Sequence, residues 1–316
     1  MVTGEHPAAI TPARRLGYRL LGRGFDYVLH LRPAEWPIMA AHTALGYGLA
    51  VGLAGVAAGE QLGPALAGLG IWVVLLNGGT LALNSAFDQD EGDIGYLVRP
   101  PKPPRHLALF GLALMAVGQG LSGLLPSRFA AVYAVCFALS LAYSMPPLRL
   151  KAAAGADWLV NMWGFGTFTP YAGYAATGRP LDEGVALVLL GFCPLFAGFY
   201  PLTQLYQLDE DRRRGDRTLA LVLGRRGSLL IALAAVGLAF ACFGYAALRT
   251  GGPIPSGSAL LRWAGLGVAL AWWLAVLLPW LEAHAAMTAA QHQRGMYRAL
   301  GAWAVTDLAV LLGWAR

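Results

Sequence analysis

The stretch "ALAGLGIWVVLLNGGTLALNSAFDQDEGD", Ala65–Asp93, decides the fold. Residues 65–86 carry no charge, and an apolar run of about 20 residues is long enough to cross the hydrocarbon core of a bilayer. Asp88, Asp90, Glu91 and Asp93 then crowd into its last turns, although the chain has only 17 acidic residues among 316. A membrane span that ends on four carboxylates needs both a fold and a reason.

Composition extends the first half of that reading to the whole chain. Hydrophobic residues make up 57% and charged residues 13%, about half the charge of an ordinary soluble domain. Apolar runs of similar length recur, separated by Pro/Gly-rich or charged connections near 99–105, 145–152 and 250–257. We expect an all-α polytopic membrane protein of about nine transmembrane helices around a central cavity. The spans fall near 37–58, 66–86, 106–124, 128–145, 156–175, 184–205, 228–248, 261–281 and 299–315. Residues 1–36 read as an N-terminal segment outside the nine-helix domain of 37–316. Arg14, Arg15, Arg19 and Arg23 interrupt any signal-peptide core, and Leu16, Leu20, Leu21 and Phe25 share one side of an amphipathic interfacial helix. Three widely spaced cysteines in apolar runs (Cys136, Cys193, Cys242) suit buried thiols, not a disulfide frame.

The net charge of +6 suggests nucleic acid, but basic residues beside apolar spans more often set topology. With nine spans, 18 of the 23 Lys and Arg fall on one side; only Arg128, Arg179, Arg249, Arg262 and Arg316 fall on the other. The positive-inside rule then places the N-terminus and the acidic loop in the cytoplasm, in the cell (inner) membrane.

A second acidic group, Asp209, Glu210, Asp211 and Asp216, follows the sixth span on the same side. Asn84 and Asp88 are four residues apart, as are Gln207 and Asp211, so each pair shares a helical face. Carboxylate and amide oxygens are hard ligands suited to Mg2+, which binds through one or two carboxylates plus phosphate oxygens. Neighbouring Lys102, Lys151, Arg212, Arg213 and Arg217 can hold a polyphosphate.

These residues resemble a known family. "NSAFDQDEGD" (84–93) resembles the first aspartate-rich motif of the UbiA superfamily of membrane prenyltransferases, and "YQLDEDRRRGDRTLALVLG" (206–224) the second. "YSMPPLRLK" (143–151) and "LRPAEWP" (31–37) are similar to other segments of many members, in the same order. Ser85, Gly92 and Gln207 stand where the family usually has aspartates. The resemblance implies Mg2+-dependent transfer of an isoprenyl group from an isoprenyl diphosphate to an aromatic or other lipophilic acceptor, through an allylic cation. It implies Asn84, Asp88 and Asp211 as metal ligands, with Asp90, Asp93, Gln207 and Asp209 as further candidates. Lys151 leads the diphosphate cations, followed by Lys102, Arg149 and Arg217. Trp158, Trp163, Phe165, Phe168, Tyr171 and Tyr174 of the fifth span offer aromatic faces to a cation. Asn77 and Asn161 are intramembrane polar groups that either orient a substrate or bond a neighbouring helix; His42 has the same two readings. A terpene cyclase on the same helices and, further off, a transporter are the competing functions.

Overall fold

The computed structural model describes residues 11–88, 93–94, 96–250 and 257–315. We number its helices α1 Pro12–Leu21, α2 Phe25–His30, α3 Trp36–Ala58, α4 Leu62–Asp88, α5 Leu107–Ser122 and α6 Ser127–Ser144. There follow α7 (156–176), α8 Glu183–Gln204, α9 Leu208–Arg214, α10 Leu219–Thr250, α11 Gly257–Ala283 and α12 Ala289–Trp314. Each of the nine expected segments falls on one of these helices. Six, namely α3, α4, α6, α8, α10 and α11, are long and apolar enough to cross a membrane, and α5 is a shorter apolar helix. The chain is an all-α integral membrane protein.

Two helices start earlier than their apolar runs. α12 begins at Ala289, because Thr288 and Gln291 form a reciprocal capping box that satisfies its first amides. α10 begins at Leu219 and bends at Gly224, whose φ of 67° is open to glycine. The second acidic group does not continue the sixth span. The chain leaves helical pairing after Gln204 and restarts as the short helix α9.

α8 is the central helix; it packs on α10, on the middle of α7 and on α12. Its face is continuous with a core that includes Val188, Phe192, Leu195, Leu202, Phe243 and Trp273. α3 crosses α7 at very short range: a β-carbon on Gly46 would lie 1.7 Å from the Pro170 carbonyl oxygen, and one on Gly173 would lie 1.8 Å from that of Thr43. Such glycine contacts let helix backbones meet where lipid supplies no hydrophobic drive. Outward faces carry large apolar side chains, among them Leu109, Leu124, Leu238 and Trp272, as lipid contact requires. α1 buries no residue and leaves Leu16, Leu20 and Leu21 exposed, while Arg14 donates to the carbonyls of Val98 and Arg99 at 3.0 Å each.

Candidate active site

α4 and α7 each contain a π-helical turn, Ile71–Asn77 and Met162–Phe168. Prolines open further carbonyls. Pro201 has no N–H to offer Ala197, whose oxygen instead accepts from Trp158 Nε1 at 2.7 Å. Pro170 likewise leaves the Gly166 oxygen to His42 Nε2 at 3.2 Å. His42 Nδ1 lies 3.0 and 3.1 Å from the two oxygens of Asp307. The His42 ring therefore ties α3, α7 and α12 together beneath a cavity of about 360 Å³.

The mouth of that cavity is polar and its floor aromatic. The first acidic bank is Asn84 and Asp88, the last turn of α4; the second is Gln207 just before α9, Asp211 on α9 and Asp216 on the loop after it. Loop 145–155 closes the mouth between them. Its Ala152 oxygen accepts from Arg217 N at 3.2 Å, making a parallel bridge between Ala153 and Arg217. This bridge sets Lys151 against Asp88 as an ion pair, and both side chains are mostly buried. Arg149 reaches both banks, 3.7 Å from Asp88 and 3.2 Å from Asp216. Asp211 is buried and accepts from Thr218 Oγ1 at 3.3 Å, and Ser144 Oγ donates to Asn84 Oδ1. Phe165, Phe196, Phe199 and Trp303 form the floor; Phe165 and Phe196 stack at 5.2 Å and Trp303 stands edge-on to Phe196 at 5.5 Å.

Of the residues singled out in the sequence, His42, Asn77, Asn84, Asp88, Lys151, Asn161, Phe165, Gln207 and Asp211 line this cavity. Arg149 stands at its rim through its two ion pairs. Asp209 pairs with Arg212 at 3.0 Å on the surface, and Asp93 accepts from Arg99 N at 2.8 Å within its own loop. Lys102 and Arg217 are exposed and off the lining. Tyr171 is half-buried between two packed clusters. Asp90 lies outside the described residues.

The structure adds residues that the motifs do not mark. Asp157 is fully buried and accepts from five groups. Oδ1 takes Gly155 N (2.9 Å) and Trp158 N (2.8 Å), and Oδ2 takes Gln204 Nε2 (3.1 Å), Leu219 N (3.1 Å) and Tyr200 OH (3.4 Å). Gln204 Oε1 accepts from Ala220 N at 3.1 Å. The opening amides of α10, which have no partner within their own helix, are thus capped from α7 and α8. Tyr200 continues the network to Tyr143, 3.0 Å away. The i, i+4 spacing of Tyr200 and Gln204 at the end of an apolar span was the available signal. At the mouth, Glu35 faces Arg32 at 3.7 Å; burial pushes its carboxyl above the usual range, and the guanidinium only partly opposes this.

Two banks of carboxylate and amide oxygens facing one cavity fit Mg2+, which keeps waters and takes phosphate oxygens to complete its shell. Among the described residues no three carboxylate, imidazole or thiolate groups cluster as a metal cage.

Comparison with known proteins gives one consistent result. Digeranylgeranylglyceryl phosphate synthase of Natronomonas pharaonis is 34% identical over 163 residues, covering 50% of this chain and 57% of that relative. The chain thus spans little more than half the length of that curated protein. A UbiA homologue from Archaeoglobus fulgidus, solved with GPP and Mg2+, superposes with a TM-score of 0.65 at 17% identity, over 90% of this chain and 99% of that one. A UbiA homologue from Aeropyrum pernix K1 gives 0.57 at 20% identity, over 87% and 95%. At these identities the structures speak for the fold. The sequence model of the UbiA prenyltransferase family matches residues 44–276, about three quarters of the chain, and the chain belongs to that family.

Proposed function

We propose that this protein transfers an isoprenyl group from an isoprenyl diphosphate to a lipophilic acceptor within the membrane, with Mg2+. The observation that carries the reading is a single cavity with two acidic banks and paired cations at its mouth and an aromatic floor. The family supports it, as do a homologue solved with GPP and Mg2+ and a relative named for making a glyceryl phosphate lipid.

Asn84 and Asp88 on one bank, and Gln207 and Asp211 on the other, are the groups that would hold the metal. When bound, Mg2+ neutralises charge on the leaving pyrophosphate. Lys151 and Arg149, now paired with Asp88 and Asp216, supply fixed positive charge to the same oxygens. The allylic C–O bond breaks with its electron pair leaving on pyrophosphate. The acceptor provides the pair for the new bond, and pyrophosphate carries off its proton. Phe165, Phe196, Phe199 and Trp303 exclude water and present ring faces to the allylic cation, worth roughly 0.5–2 kcal/mol each. Residues 1–36 act as an interfacial segment before the nine-span domain of 37–316, and the mouth opens to the cytoplasm.

The test is turnover by purified protein with Mg2+ and labelled geranyl, farnesyl and geranylgeranyl diphosphates, with and without membrane lipid extract. Pyrophosphate release should require Mg2+ and vanish in Asp88→Ala and Asp211→Ala. Release that needs no extract and gives a cyclic product identifies a terpene cyclase instead. No release from folded wild type with any donor and extract refutes the reading.

A further inference from the structure

A second cavity of about 220 Å³ adjoins the first, between α4, α6 and α7. The two share Asn77, Asn84, Tyr143 and Asn161, which form a polar neck, together with Met39, Leu81 and Phe165. Beyond the neck the lining is apolar, with Trp72, Leu76, Cys136, Leu139 and Val160, and among the described residues it contains no charged side chain. Its hydroxyls are directed inward to protein. Thr80 donates to Leu76 O (2.8 Å), Ser140 to Cys136 O (2.8 Å) and Thr169 to Gly164 O (2.9 Å). At the neck, Asn84 is bonded to Ser144, Asn161 donates to Asp157 O (2.8 Å) and Tyr143 meets Tyr200. Asn77 differs. It is 6% exposed, and its Nδ2 has no hydrogen-bond partner among the described residues.

A buried amide donor without a partner costs about 1–3 kcal/mol, so a ligand oxygen placed there is favoured and a hydrocarbon chain is not. A prenyl tail passing the neck would leave Asn77 unsatisfied, whereas the aromatic floor of the first cavity accepts a tail at no such cost. An anionic headgroup is disfavoured more strongly still, because no described residue lining the second cavity would neutralise it. We infer that the second cavity binds the acceptor, an uncharged lipophile whose reacting end carries a hydroxyl or carbonyl oxygen that accepts a hydrogen bond from Asn77 Nδ2. The inference rests on the transferase reading and specifies its second substrate class.

The test uses the full chain in nanodiscs with Mg2+ and labelled geranylgeranyl diphosphate. The acceptor probes are a long-chain hydroquinone, a long-chain alkylglycerol and the phosphate ester of that alkylglycerol. We expect transfer to a neutral probe with kcat/KM at least about tenfold above the phosphate ester. Asn77→Leu should raise the KM for the neutral acceptor about three- to tenfold, with kcat moving less and Asn77→Gln recovering part of the loss. Leu139→Trp, which fills the second cavity, should abolish transfer while labelled donor still binds; retained donor binding also reports that the variant is folded. Cys136→Phe fills the same space from another turn of α6 and should behave alike. Preference for the phosphate ester overturns the inference, as does loss of donor binding in both filled variants, which would put the prenyl tail in this cavity. Failure of wild type to bind donor at all instead removes the transferase reading beneath it.

Discussion

Replacing Asp157 by Asn changes one oxygen to an amide nitrogen and should loosen the mouth of the site. The carboxylate now serves donors on both oxygens: two backbone amides on Oδ1, and Gln204, Leu219 N and Tyr200 on Oδ2. An asparagine can serve only one set. Its oxygen stays with the two close amides of Gly155 and Trp158, which leaves NH2 facing the other three. Tyr200 can rotate its hydroxyl to accept. Gln204 cannot turn over without abandoning Ala220 N, and Leu219 N is left without an acceptor. One orphaned buried amide costs about 1–3 kcal/mol, and the opposed Gln204 donor adds about 1, giving about 2–4 kcal/mol. The loss falls on the N-terminal cap of α10 and, through Thr218, on Asp211. Hydrogen exchange by mass spectrometry on peptides covering 215–222 should then quicken roughly thirty- to seven-hundred-fold, if exchange follows local opening. Donor-dependent pyrophosphate release should fall with it. Tyr200→Phe removes the longest of the five contacts to Asp157, at 3.4 Å, together with the hydroxyl's bonds to Tyr143 and Gln204 at 3.0 Å each. It leaves Leu219 N and Ala220 N with their acceptors and should quicken exchange at 219 and 220 by less than Asp157→Asn does. Unchanged exchange at 219 and 220 in Asp157→Asn would refute the claim that this carboxylate holds the cap.

Further outcomes follow from other contacts. Lys151→Met leaves Asp88 with Arg149 at 3.7 Å; because Asp88 keeps some exposure, the stability loss should be about 1–3 kcal/mol, below the range for a fully buried pair, and donor affinity measured by titration should fall at least about tenfold. Glu35, with its folded pKa raised by burial, contributes stability that is full below its unfolded value of about 4.3 and is lost as pH rises through the folded value. Unfolding of wild type from about pH 4 to about pH 8 should show that decline, and Glu35→Gln should flatten it. His42→Phe strands Asp307 in the bundle and should cost at least about 2 kcal/mol, whereas the double variant with Asp307→Leu recovers most of this; a double-mutant cycle that shows simple additivity would count against the pair. Gly46→Val cannot be placed without parting α3 from α7 and should abolish folded, monodisperse protein in detergent.

The sequence carries much of this architecture, because a bilayer imposes length and polarity on every span. Residues 65–86 could be read as one crossing with no knowledge of their neighbours. The acidic banks were legible for a related reason: carboxylates at the ends of apolar runs have few other uses, and Asn84–Asp88 share a face by spacing alone. Asp157 was not legible. It looks like an acid opening the fifth span, and its partners at 200, 204 and 219 meet it only once three helices are packed. The surface position of Asp209 was hidden as well, since the break after Gln204 rotates α9 independently of α8 and turns Asp211, not Asp209, toward the cavity. The uncharged second cavity could not be seen for a similar reason. Its walls are ordinary apolar residues from three helices, and only the unsatisfied amide of Asn77 distinguishes it from packing.

The wide turn at Ile71–Asn77 bears on how such a site tolerates insertions and deletions. An α-helix advances about 100° per residue. A one-residue deletion within 71–77 is absorbed by a return to regular winding. One within Leu62–Gly70, with the wide turn at 71–77 kept, would swing Asn84 and Asp88 through about a quarter of a circle relative to the start of α4, away from Lys151 and the facing bank. No side chain of the acidic motif would have changed. The aim of these carboxylates is therefore recorded in the residue count upstream of them, within a stretch of plain aliphatic sequence, and a frame-preserving deletion in Leu62–Gly70 should be as damaging as the loss of an aspartate.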